Sequence, residues 1–123
     1  MICLDTNYLI LGLVRGSGEA ERIMAWSETG ERFCVSAVVW YEFMCGPVTS
    51  VQVVAMRSLV DEIVPFDHAQ AEQAARLFNA VGRNRQLRVD AMIAAAAVSR
   101  NAAFATADRD DFSPFVVHGL RLV

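Results

Sequence analysis

Met1-Ile2-Cys3-Leu4-Asp5-Thr6-Asn7-Tyr8-Leu9-Ile10-Leu11-Gly12-Leu13 opens the chain, and the change of rhythm inside it decides the fold class. Apolar residues run unbroken to Leu4 and stop at Asp5, after which Tyr8, Leu9, Leu11 and Leu13 continue at helical rather than alternating spacing. The segment predicts a short buried strand leading directly into a helix, with an acid at the junction.

The same unit recurs along the chain. Gly16-Ser17-Gly18 interrupts the first helix, and residues 19–28 resume it with Ala20, Ile23 and Trp26 on one side until Gly30. Residues 32–35 read as a second strand. Ser36 then caps a helix through Val39, Trp40, Glu42 and Phe43 that stops at Gly46-Pro47. Residues 49–61 give a helix and 63–66 a third strand, followed by Asp67 and Gln70 at cap spacing and a helix over 69–81. Residues 88–99 carry Asp90 near the start of an alanine-rich helix whose small side chains suit close packing. Residues 102–106 supply a fourth strand, 107–111 a polar turn, and 115–118 a fifth strand. Strands alternating with helices predict an α/β fold with a mostly parallel sheet of four to five strands covered by helices. In such sheets ligands bind outside the carboxyl ends of the strands, where Asp5 and Asp108 fall.

Composition narrows the function. The 123 residues suit a single domain, 1–123, and 54% hydrophobic against 20% charged residues supports a buried core. The longest apolar runs are about half the ~20 residues that cross a bilayer, and no signal-peptide pattern follows Met1, so a cytoplasmic protein away from membranes is expected. Cys3, Cys34 and Cys45 lack CxxC spacing and sit among apolar neighbours, which predicts reduced core thiols. A net charge of −3 excludes a globally basic nucleic-acid surface, leaving a local patch as the means of holding RNA or DNA. All 11 basic residues are Arg, so Lys-dependent Schiff-base and Walker A chemistry is excluded.

Four acids stand out by context: Asp5 at the end of the first strand, Glu42 in an apolar helix, Asp90 on the alanine-rich helix and Asp108 after the fourth strand. Each alone has a structural explanation as a cap or a surface group. Glu42, however, is too deep in its helix to cap it. A buried carboxylate needs an Arg, backbone donors, protonation or a metal, and a metal accounts for several acids at once. An all-oxygen donor set suits Mg²⁺ or Mn²⁺, whereas zinc or iron would ordinarily recruit His or Cys.

In order and spacing these residues resemble the PIN-domain ribonucleases, especially the VapC-type toxins of bacterial toxin-antitoxin pairs. Leu4-Asp5-Thr6-Asn7 resembles the first acidic motif of that family, and Ser36, Glu42-Phe43 and Gly46 the second. Asp90-Ala91-Met92-Ile93-Ala94-Ala95 is similar to the third, and Thr106-Ala107-Asp108 with Asp111-Phe112 downstream to the fourth. The fourth segment offers Asp108, Asp110 and Asp111; the resemblance assigns Asp108 to the site and Asp111 to the turn before Phe112. It implies a three-layer α/β/α domain and metal-dependent endonucleolytic cleavage of RNA. In that role Asp5 and Asp90 would ligate Mg²⁺ or Mn²⁺, and Glu42 and Asp108 would ligate it or orient its waters. Thr6, Asn7 and Thr106 would orient water or the scissile phosphate.

Arg83, Arg85 and Arg88 lie in a stretch, residues 73–89, that contains no acid and leads into Asp90. Guanidinium forks suit phosphate and stack on unpaired bases, so these three are the expected RNA contacts. Surplus apolar residues on the early helices, Leu13, Val14, Met24, Trp26, Val53 and Met56, are candidates for an interface. The resemblance makes the partner a cognate antitoxin and adds homodimerisation through another face. Two alternatives compete. One is a catalytically inactive interaction domain of the same fold, its acids serving as caps. The other is a dehalogenase-like phosphatase, disfavoured because Asn7 stands where its second Asp belongs.

Overall fold

The computed structural model of the chain describes residues Met1–Val123. Five strands, β1 (Ile2–Leu4), β2 (Phe33–Ser36), β3 (Glu62–Val64), β4 (Ala103–Ala105) and β5 (Arg121–Leu122), form one sheet in the order β3-β2-β1-β4-β5. Every pairing is parallel. Helices α1 (Thr6–Leu11), α2 (Gly18–Glu28), α3 (Ala37–Cys45), α4 (Ser50–Leu59), α5 (His68–Ala80), α6 (Arg88–Ser99) and α7 (Arg109–Phe112) complete a three-layer α/β/α arrangement. Both faces of the inner strands are covered, which is why β1 and β2 read as continuous apolar runs and are buried throughout.

The chain winds outward from β1 to β2 and β3, then returns to place β4 on the other side of β1. Winding therefore reverses between β1 and β4. At such a switch point the connections after neighbouring strands diverge and leave a crevice at the carboxyl ends. Ile2, Cys3 and Leu4 register with Ala103, Phe104 and Ala105, and Asp5 N–H donates to the Ala105 carbonyl at 3.0 Å. The ladder thus delivers Asp5 and Thr106 side by side at the crevice floor.

The caps fall where the sequence places them. Ser36 Oγ accepts from Val39 N–H at 3.0 Å, and Asp67 Oδ1 from Gln70 N–H at 3.0 Å. Gln70 does not reach back to complete a box; its amide donates to Ser99 Oγ at 2.6 Å, tying α5 to α6. Thr49 and Gln52 form a full capping box on α4. Ala91 and Ala94 to Ala97 are buried, giving α6 the small-residue surface on which α5 packs.

Two expectations are corrected. The fifth strand is not at 115–118: Ser113–His118 is a 3₁₀ helix and β5 follows at Arg121–Leu122. Pro114 pre-sets a helical start, only Phe115 of the apolar run turns inward, against Phe112, and Gly119 at φ 113° reverses the chain into β5. Among the cysteines, Cys3 and Cys34 are buried and directly registered on β1 and β2, but Cys45 is exposed. It ends α3 on the solvent side, where helical phase overrides its apolar neighbours.

Candidate active site

Three consecutive residues after β1 fasten two distant segments, α3 and the turn after β4. Asp5 Oδ1 accepts from Thr6 N–H at 2.8 Å as α1 begins, and its Oδ2 accepts from the Thr106 hydroxyl at 2.6 Å. Thr6 Oγ1 donates to Glu42 Oε2 at 2.6 Å, and Asn7 Nδ2 donates to Asp108 Oδ2 at 3.1 Å. Thr106 Oγ1 also accepts from Asp108 N–H at 2.9 Å. Residues 101 and 36 positions apart in sequence are thereby locked to one hub. Asp5 and Thr106 are buried, Glu42 and Asp90 half-buried, and Asp108 exposed.

Asp90 joins this group across space rather than through a hydrogen bond. It sits in the first turn of α6, and loss of water together with the charges of Asp111, Asp5, Glu42 and Asp108 pushes its carboxyl up to about 6. Burial also raises Asp5, against the hydrogen bonds from Thr106 and Thr6; Asp108 and Glu42 add to the rise. The four acids thus share one electrostatic neighbourhood.

No cation of the chain relieves it. The ion pairs are Met1 ammonium with Glu31, Arg32 with Asp61 and Arg100 with Glu62, all away from these acids. An uncompensated set of oxygen donors without His or Cys matches a hard divalent ion. The match is chemical rather than a finished cage, because no three of the acids stand close enough together to make a ready ligand set. Of the simple capping explanations, only that of Asp5 holds: Asp108 makes no side-chain cap on α7, and Asp90 lies inside α6.

The resemblance gives Asp111 only the turn before Phe112. Its charge is nevertheless the foremost one acting on Asp90, ahead of those of Asp5, Glu42 and Asp108. The run Asp108-Arg109-Asp110-Asp111 was the available signal, and only the short α7 decides that its last acid faces α6.

Arg83, Arg85 and Arg88 are exposed in and just after the connection from α5 to α6. Gly82 and Arg83 are both left-handed, at φ 83° and 61°, which turns the chain sharply before the 3₁₀ turn Arg85–Leu87. The Arg88 guanidinium lies 5.9 Å from the Phe78 ring centre, a cation–π distance, while the residue as a whole is exposed. Of the surplus apolar residues on the early helices, Met56 is core, Leu13, Trp26 and Val53 are half-buried, and Val14 and Met24 are exposed. An open groove of about 910 Å³, lined in part by Leu13, Ile23, Met24, Ala55 and Leu59, separates α2 from α4.

The fold and site define a class: a parallel α/β domain carrying an acidic, all-oxygen crevice at its topological switch point. The family model of the PIN domain matches residues 2–115, and the chain belongs to that family. Among solved structures it is similar to FitAcB from Neisseria gonorrhoeae, at TM-score 0.71 and 25% identity, covering 100% of this chain and 97% of that one. It is also similar to VapBC2 from Rickettsia felis bound to a DNA fragment from their promoter, at TM-score 0.74 and 17% identity over 100% and 98% of the two chains. VapBC-1 from nontypeable Haemophilus influenzae aligns at TM-score 0.69 and 20% identity over 100% and 97%. No curated protein matches the chain. No helix is long and apolar enough to cross a membrane.

Proposed function

We propose that this chain is a metal-dependent endoribonuclease, the toxin half of a VapC-type toxin-antitoxin pair. The observation that carries the reading is the hub at Asp5-Thr6-Asn7, which draws Glu42, Thr106 and Asp108 to the switch-point crevice where Asp90 also faces. Membership of the PIN family and likeness to toxin-antitoxin assemblies support it.

Asp5, Glu42, Asp90 and Asp108 are the residues that would hold Mg²⁺ or Mn²⁺. When bound, the ion supplies Lewis-acid activation of water and neutralises charge on a phosphodiester. The chain's own residues have separate tasks. Thr6 and Thr106 spend their hydroxyl protons on Glu42 and Asp5, so they aim carboxylates rather than water. Asn7 does the same for Asp108 with one amide hydrogen and keeps the other for water or phosphate. Arg83, Arg85 and Arg88 serve the RNA backbone from the exposed approach to α6. The groove between α2 and α4 takes an apolar segment of the antitoxin, and a further face pairs two copies of the toxin.

The absence of a closed ligand set favours a second reading, a catalytically inactive interaction domain of the same fold. One experiment separates them: wild type, Asp5→Asn and Asp90→Asn are incubated with a mixed RNA pool in Mn²⁺ or in EDTA. Cleavage by wild type in Mn²⁺ alone supports the nuclease. Cleavage by none of the proteins supports the inactive domain, and equal cleavage by all three identifies a contaminant.

A further inference from the structure

The hub at Asp5-Thr6-Asn7 keeps its aim only while α1 holds one rotational setting, and α1 has six residues. A helix that short is not stable by itself, so its setting comes from its neighbours. One of them, α2, is fastened to α1 along its length. Ser17 Oγ accepts from Ala20 N–H at 3.0 Å to cap α2 and donates to the Leu11 carbonyl at the end of α1 at 2.5 Å. Gly12 has no side chain, and a methyl there would stand 2.6 Å from Ile23 Cδ1, so the two helices approach closely.

Arg22 and Trp26, four residues apart, share a face of α2, and both meet Tyr8 of α1. Arg22 Nη1 donates to the Tyr8 hydroxyl at 2.9 Å, and the Trp26 ring stacks on that of Tyr8 with centres 5.9 Å apart and planes 29° to each other. Tyr8 is 2% exposed, so its hydroxyl needs a protein partner, and Arg22 is the one it has.

Tyr8 also closes the turn that carries the hub. Its N–H donates to the Asp5 carbonyl at 3.0 Å, with Thr6 and Asn7 between them, so holding the ring holds this turn about the helix axis. With Cα atoms ~2.3 Å from that axis, a side-chain atom ~4 Å out moves ~1 Å for every ~15° of rotation. Such a movement away from their partners breaks both the 2.6 Å bond from Thr6 to Glu42 and the 3.1 Å bond from Asn7 to Asp108.

We propose that Arg22 is a positioning residue: through the Tyr8 hydroxyl it sets the rotation of α1 and so aims Thr6 at Glu42 and Asn7 at Asp108. This rests on the metal-dependent nuclease reading and adds to it a residue outside the crevice. Arg22 is exposed and pairs with none of the four acids; it acts on them only through the turn.

The test compares wild type with Arg22→Met, which keeps the stem and removes the donors, with Tyr8→Phe, which removes the acceptor, and with the double variant, all under conditions where circular dichroism shows them folded. Each single variant should lower kcat on RNA in Mn²⁺ ~10-fold and raise the Mn²⁺ concentration at the half-maximal rise in Tm by a similar factor, with KM for RNA unchanged. The double variant should match the worse single one, because both changes break the same link. A merely structural contact would shift the Tm of the metal-free protein and leave kcat and the Mn²⁺ midpoint where they are. That outcome in Arg22→Met overturns the proposal, as do losses that add in the double variant, while cleavage by wild type leaves the nuclease standing. Wild type that neither cleaves RNA nor responds to Mn²⁺ overturns both.

Discussion

Replacing Asp90 by Asn should stabilise the metal-free protein at neutral pH while removing its activity. The carboxyl of Asp90 is displaced from an ordinary 3.8 to about 6, by loss of water first and by the neighbouring acids second. A folded state that holds the proton more tightly than the unfolded chain does is penalised once that proton leaves. The penalty is absent below the ordinary carboxylate range, grows between about 4 and 6, and is complete above about 6. A displacement of about 2 on the pH scale, at about 1.36 kcal/mol each, sets an upper limit of about 3 kcal/mol. Asp90 is only half-buried, so screening brings this to about 1–1.5 kcal/mol, and the favourable place of an acid in the first turn of α6 trims it further. For a domain of this size about 1 kcal/mol is worth ~3–5 °C in Tm. Differential scanning fluorimetry of EDTA-treated wild type and Asp90→Asn at pH 4.5 and 7.5 should show the variant ahead by that margin at pH 7.5 and by distinctly less at pH 4.5, where the penalty has only begun to grow. A variant less stable at pH 7.5, or an advantage identical at both pH values, refutes the reasoning.

Other outcomes follow from the same geometry. Millimolar Mg²⁺ or Mn²⁺ should raise the Tm of wild type, and Asp5→Asn or Asp90→Asn should flatten the titration; a flat wild-type titration counts against the metal. Thr106→Val strips Asp5 Oδ2 of its donor and Asp108 N–H of its acceptor in a buried setting, so urea unfolding should register a loss of about 1–3 kcal/mol that Thr106→Ser restores. Gly12→Ala directs a methyl to within 2.6 Å of Ile23 Cδ1 and onto the Tyr8 carbonyl; overpacking of the contact between α1 and α2 should cost about 1–3 kcal/mol by the same assay. Neutralising Arg83 and Arg85 together should weaken RNA binding and lower its salt dependence, with the metal-induced rise in Tm intact.

Much of the architecture was legible because its signals are local. The apolar run ending at Asp5, the Ser36 and Asp67 caps and the alanine run of α6 each announce an element within a few residues. The fifth strand was misread for the same local reason: residues 115–118 have the composition of a strand, while Pro114 before them and Gly119 after them impose a 3₁₀ turn. The candidate acids were legible as anomalies, charged groups in apolar surroundings. What each of them does was not.

Hydrophobic periodicity and turn chemistry act between near neighbours, so the sequence by itself determined an alternating α/β chain and an acid at the end of its first strand. Only the tertiary structure decided that β4 lies beside β1, and with it that Thr106 donates to Asp5, Asn7 to Asp108 and Thr6 to Glu42. It alone placed Asp111 among the charges acting on Asp90 and Arg22 on the hydroxyl of Tyr8. Hydrogen bonds and Coulomb forces depend on distance in space, and a linear chain does not carry that distance until the sheet has closed.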